Sequence, residues 1–103
     1  MNNKVLSLLG LACRAGHVVS GEYATETAVK SGKARAVIVA GDASDNTKKL
    51  FRDKCSYYEV PLIETGTKEE VGKAIGKEYR ASVAVTDESF AKGLVEKYEE
   101  IKG

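Results

Sequence analysis

Apolar residues recur along the chain with two different periods, and the alternation between those periods outlines the fold. Val5, Leu6, Leu9, Ala12 and Cys13 share one face at helical spacing, which predicts a helix that starts near Asn2 or Asn3 and stops at Gly16. Gly10 inside that helix costs on the order of 1 kcal/mol relative to Ala, so close approach of a second element is expected there. A second helix is read from Glu22 to Ser31, with Ala24, Ala28 and Val29 inward and Gly32 as the left-handed stop. Ala36 to Ala40, Val60 to Ile63 and Ser82 to Thr86 are short runs rich in Val and Ile, the pattern of strands covered on both faces.

The segments between those strands carry the helices that cover them. Asp45 to about Tyr58 places Leu50, Phe51, Cys55 and Tyr58 on one stripe, and Ser89 to Lys102 repeats the pattern with Phe90, Ala91, Leu94, Val95 and Tyr98. Thr67 to Ile75 opens with Thr67-Lys68-Glu69-Glu70, the spacing of a capping box, and Gly76 marks its end. Pro61 falls at a strand start, where a missing N–H is tolerated. Alternating helices and strands, with short connections and no linker or repeat, predict one domain over residues 1–103. The expected fold is a three-layer α/β/α sandwich around a small mixed sheet.

Composition narrows the chemistry. The net charge of +1 in 103 residues supplies no general attraction for a polyanion, so any nucleic-acid affinity must come from a local patch. The first apolar stretch is interrupted by Ser7, Gly10 and Arg14 and is too short to span a bilayer, so no membrane association is expected and the protein is read as cytoplasmic. Cys13 and Cys55 stand far apart with no CxxC pair, and His17 is the only histidine, which argues against a zinc site. A Cys13–His17 dyad lacks a third orienting group, and the oxygen-rich Asp42–Asn46 run lacks calcium-loop spacing and suits a helix cap. No catalytic residue, metal ligand or cofactor is expected.

Gly21 stands where the second helix begins. Glycine there lets backbone approach a phosphate, and the first-turn N–H groups offer partial positive charge to an anion; an ordinary glycine turn is the alternative reading. Tyr79 beside Arg80 pairs a stacking surface with a phosphate-binding cation, and Lys77 lies two residues before Tyr79; a solvated loop with Tyr79 leaning on the core is the alternative reading. Lys30, Lys33 and Arg35 cluster around Gly32, where cations also relieve the negative pole of the helix. Lys48, Lys49 and Arg52 are interleaved with Asp45 and Asp53, which fits a solvated mixed-charge face.

The order Arg14-Ala15-Gly16, Val18-Val19-Ser20-Gly21, a helix, Ser31-Gly32-Lys33-Ala34, an apolar strand and Asp42 resembles the ribosomal-protein family that binds kink-turn RNA. The likeness is greatest to its small bacterial YlxQ-like branch, and it continues through Lys54-Cys55, Val60-Pro61 and Val71-Gly72-x-x-Ile75-Gly76. It implies a non-enzymatic RNA-binding protein, ribosomal or ribosome-associated, that acts as a monomer on structured RNA, with ribosomal or translation-related proteins as further partners. The RNA surface it implies is Ser20 to Thr27 with Gly76 to Arg80, so its candidate contacts are Gly21, Glu22, Tyr23, Thr27, Lys77, Tyr79 and Arg80; Lys30 and Lys33, from the basic cluster at Gly32, complete the candidate set. Kink-turn binders carry Gly-x-Asn-Glu-x-x-Lys at this turn, whereas the frame here reads Gly21-Glu22-Tyr23-Ala24-Thr25-Glu26-Thr27. Only the glycine is retained, so kink-turn specificity does not follow from the resemblance; a protein-interaction adaptor that keeps the fold without RNA is the alternative.

Overall fold

A computed structural model describes residues 3–102. The elements are α1 (Lys4–Arg14), β1 (Val18–Ser20), α2 (Glu22–Lys30), β2 (Ala36–Val39), α3 (Asp45–Tyr58), β3 (Leu62–Glu64), α4 (Lys68–Ala74), β4 (Ser82–Val85) and α5 (Glu88–Lys102). The sheet runs β1-β4-β2-β3, with β1 and β2 antiparallel to β4 and β3 parallel to β2.

Alternation along the strands builds the two cores. Ile38, Val83 and Val85 face α1, α4 and α5 and pack with Val5, Leu9, Val71 and Leu94. Val37, Val39 and Ala84 point the other way, onto α2 and α3, and pack with Ala28, Val29, Phe51 and Cys55. The expected three-layer α/β/α sandwich with a mixed sheet is therefore the one observed. Burying both faces is what demands unbroken apolar strands, and β2 and β4 are buried at every position.

Helix ends follow local chemistry. The Asn3 side chain accepts from the Val5 and Leu6 amides, which starts α1, and Asn2, the other expected cap, lies outside the described residues. Gly16, at φ 81°, ends the helix, with the His17 N–H donating to Ala12 O at 3.0 Å. The capping box of Thr67 and Glu70 is present in both directions. A Cβ on Gly10 would lie 3.0 Å from Ala74 O, so the glycine serves the close crossing of α1 and α4.

The strand bounds differ from those expected: β2 and β4 each stop one residue earlier, at Val39 and Val85, and β3 is shifted to Leu62–Glu64. Val60 is absent from β3 because Glu59 adopts φ 58° beyond α3 and the Val60 N–H donates back to Cys55 O at 2.8 Å. The residues expected to open the strand are thus used to close the helix. Pro61 still contributes its carbonyl, which accepts from Val37 N at 2.9 Å.

Candidate nucleic-acid interface

The sheet brings two loops together at one end of the molecule. Ser20 pairs with Val83 at the end of β1, and the Gly21 N–H donates to Ser82 O at 3.0 Å, so the entrance to α2 lies against the residues that lead into β4. Those residues follow the loop from Gly76 to Arg80. Arg80 fastens the two segments: its Nε donates to Ser20 Oγ at 3.1 Å and its Nη1 to Tyr79 O at 2.7 Å.

Gly21 has φ 95° and ψ 155°, a conformation L side chains rarely adopt. It caps α2 without a side-chain hydrogen bond, which leaves the first-turn amides of a nine-residue helix directed outward without a protein cap. Tyr23 is 84% exposed and Tyr79 61%. Thr27 follows Tyr23 at i+4 and Lys30 at i+7, so the three line one exposed ridge of α2.

Not every expected residue joins this end. Lys30 sits at the opposite pole of α2, about 13.5 Å from Gly21 at about 1.5 Å per residue, and pairs with Glu26 at 3.7 Å. Lys33 lies beyond the helix stop, with its N–H on Ala28 O at 3.0 Å. Lys77 is exposed in the α4–β4 loop, and its N–H donates to Gly72 O at 2.8 Å. That loop is pressed onto α4 at Gly72, where a Cβ would meet Glu78 O at 2.5 Å.

Three features of the site were not anticipated from sequence. Ser20 anchors Arg80. Thr47, at the start of α3, donates from Oγ1 to Glu22 Oε1 at 3.2 Å and so fixes the acid beside Gly21. Thr25 and Ser82, on α2 and β4 next to Gly21, hold buried hydroxyls with no hydrogen-bond partner among the described residues. These pairings join positions 60 and 25 residues apart, and no local pattern announces them.

The other candidate chemistries are occupied elsewhere. Cys13 Sγ donates to Ile75 O at 3.7 Å and His17 packs against Phe90 with ring centroids 6.0 Å apart. Asp42 Oδ1 accepts from Lys68 N at 2.8 Å, and Ser44 Oγ caps α3 through Thr47 N at 3.1 Å. Among the described residues no group of three or more His, Cys, Asp or Glu is placed to hold a metal, and no helix is long and apolar enough to cross a membrane. Arg52 meets Glu64 through two hydrogen bonds of 2.7 and 2.8 Å, which draws that exposed arginine into an ion pair across α3 and β3.

The family described as ribosomal protein L7Ae/L30e/S12e/Gadd45 matches residues 3–95. The RNA-binding protein YlxQ of Bacillus subtilis is 47% identical over 88 residues, covering 85% of this chain and 88% of that protein. YlxQ of Enterococcus faecium is 46% identical over 89 residues, covering 86% and 85%. A solved structure from Bacillus halodurans, described as a protein of unknown function, superimposes with a TM-score of 0.91 at 39% identity, covering 95% of this chain and 99% of that one. This chain belongs to the L7Ae/L30e/S12e/Gadd45 family of ribosomal proteins, in its YlxQ-like branch, and stands among ribosomal-type proteins rather than enzymes.

Proposed function

We propose that this chain is a cytoplasmic, ribosome-associated RNA-binding protein, one domain acting as a monomer, that holds structured RNA at the α2 entrance without kink-turn readout. Phosphate sits on the first-turn amides beyond Gly21, and Arg80 and Lys77 neutralise neighbouring phosphates. Tyr23 and Tyr79 stack on unpaired bases, and Thr27 and Lys30 extend the contact along α2. Supporting the reading above all is the uncapped, glycine-opened N-terminus of α2 beside the Ser20–Arg80 link. The names of the YlxQ relatives agree with it. Ala24 and Thr27 stand where kink-turn binders carry Glu and Lys, and neither supplies a carboxylate or a cation.

The test is a titration of a labelled kink-turn RNA and of a duplex of equal length at two salt concentrations, with the wild type and Arg80→Ala. Each neutralised phosphate contributes a slope of roughly 0.7 to 0.9 in log K against log salt, so Arg80→Ala lowers the slope by about one such step. An unchanged slope removes Arg80 from the site. Strong preference for the kink-turn would show that Tyr23 and Thr27 replace the missing readout, and no binding to either RNA would favour a protein adaptor. That second reading has its own observation: Tyr57, 80% exposed, stacks edge-on against Tyr58 at 4.9 Å on α3. Partners that survive ribonuclease in a pull-down would support it.

A further inference from the structure

Arg14 in α1, Lys30 in α2, Lys73 in α4 and Lys102 in α5 each stand in the last turn of their helix, where positive charge relieves the negative pole. Helix α3 is the exception. Its last turn carries no basic residue and closes on Tyr57 and Tyr58, and the residue that follows is an acid, Glu59. Glu59 holds φ 58° at the position where helices commonly place glycine, so a side chain stands there at a conformational cost. A carboxylate at a negative pole repels anions and attracts cations.

The backbone adds acceptors at the same place. The Glu59 and Val60 N–H groups donate back to Ser56 O at 3.4 Å and Cys55 O at 2.8 Å, whereas among the described residues no backbone N–H reaches Tyr57 O or Tyr58 O. Tyr58 and Glu59 share an open cavity of about 560 Å³ with Val60 and Pro61. Lys30 and Arg35, the cations of that lining, are paired with Glu26 and Glu88 at 3.7 Å each, which leaves Glu59 as the lining charge with no ion pair among the described residues. On the other side of the rings, Asp53 and Lys54 contribute opposite charges.

A guanidinium answers each of these features. It carries five N–H donors for the carboxylate and the two carbonyls, and its plane stacks on a tyrosine face. Phosphate meets only acceptors here and is disfavoured. We infer that the end of α3 is a docking surface for an arginine-bearing segment of a partner protein, with the arginine on Tyr57 and Tyr58 and bonded to Glu59. Thr47, at the start of α3, touches Glu22, while Tyr58, at its end, shares a cavity with Lys30. The two helices therefore run side by side, and this surface lies at the far end from Gly21. It does not depend on what binds there.

The experiment is an amide NMR titration of the isotope-labelled chain with capped peptides Gly-Leu-X-Leu-Gly, X being arginine, lysine, citrulline or glutamate, and with pentauridylate. The arginine peptide is expected to shift the amides from Tyr57 to Val60 and to bind more tightly than the lysine peptide, with citrulline and glutamate weakest. Glu59→Gly removes the carboxylate and relieves the left-handed backbone, so it is expected to weaken the arginine peptide about tenfold, the worth of one hydrogen bond to a charged group, while Tm stays or rises. Loss of fold would not produce that split. Tyr57→Ala, at an exposed position, is expected to weaken the same peptide about threefold. An arginine peptide that leaves these amides unmoved, binds no better than the citrulline or glutamate peptide, or binds Glu59→Gly as well as wild type overturns the inference. Pentauridylate shifting the same amides more strongly than the arginine peptide would give the surface to RNA and overturn it too. Neither result bears on RNA binding at Gly21.

Discussion

Gly72 is the position at which a single methyl group is expected to disturb the site from beneath. A Cβ there would lie 2.5 Å from Glu78 O, 2.7 Å from Glu78 C and 2.9 Å from Tyr79 N. All three are backbone atoms, so no side chain can swing aside, and the 78–79 peptide must move by about 1 Å to reach ordinary contact. The loop has little room to do so. Gly72 O accepts from Lys77 N at 2.8 Å, Arg80 N donates to Lys68 O at 3.0 Å, and the Arg80 side chain is tied to Ser20. Overpacking of this kind costs about 1–3 kcal/mol. Alanine returns up to about 1 kcal/mol through its helix propensity within α4. With the full return the net loss is about 0–2 kcal/mol, which lowers Tm by up to about 16 °C for a domain of this size. Thermal melts followed by circular dichroism measure it, and amide shifts at Lys77 to Arg80 and Ser20 report the displaced loop. A Gly72→Ala protein that melts at or above the wild-type temperature, with those amides unmoved, would refute the reasoning.

Other substitutions probe separate terms. Thr25→Val keeps the shape of a buried side chain and removes a hydroxyl without a partner, so Tm is expected to stay or rise; a fall of more than about 4 °C would reveal a buried hydrogen bond worth about 1 kcal/mol. The hydrogen bond from Arg52, with its charge, holds the Glu64 carboxyl below the ordinary carboxylate range against the opposing effect of burial. A lowered folded pKa contributes stability above the unfolded value and loses it as pH falls through the folded one, so Glu64→Gln is expected to flatten the decline of Tm between about pH 5 and pH 2. An unchanged decline would show that the pair does not couple to folding. Burial pushes the Cys55 thiol up to about 11, so in a Cys13→Ser protein the remaining thiol is expected to resist Ellman's reagent at neutral pH until denaturant is added. Immediate reaction in the native protein would contradict its burial.

The parts of the fold legible in the sequence are those set by neighbours along the chain. The bounds of α3, the Thr67–Glu70 box and the need for glycine at position 10 follow from spacing, caps and propensity, and the structure reproduces each. The start of β3 was not legible, because whether Val60 extends a strand or closes a helix turns on the left-handed conformation of Glu59, which residue type alone does not dictate. The site divides in the same way. Gly21, Tyr23, Tyr79 and Arg80 announce themselves by residue type and position relative to predicted element ends. The links from Ser20 to Arg80 and from Thr47 to Glu22 depend on which strands and helices become neighbours, information carried by the tertiary arrangement. The grouping of Lys33 with Gly21 overlooked helix length, since nine residues at about 1.5 Å each separate the two ends of α2.

RNA held at one end of the molecule is the central claim, and ultraviolet crosslinking in bacterial cells expressing the chain tests it most directly. After digestion, mass spectrometry would locate nucleotide adducts on individual residues. The account predicts adducts on Tyr23 and Tyr79, the two exposed rings that flank Gly21 and Arg80. Adducts absent from both, or confined to Tyr57 and Tyr58 on α3, would contradict it.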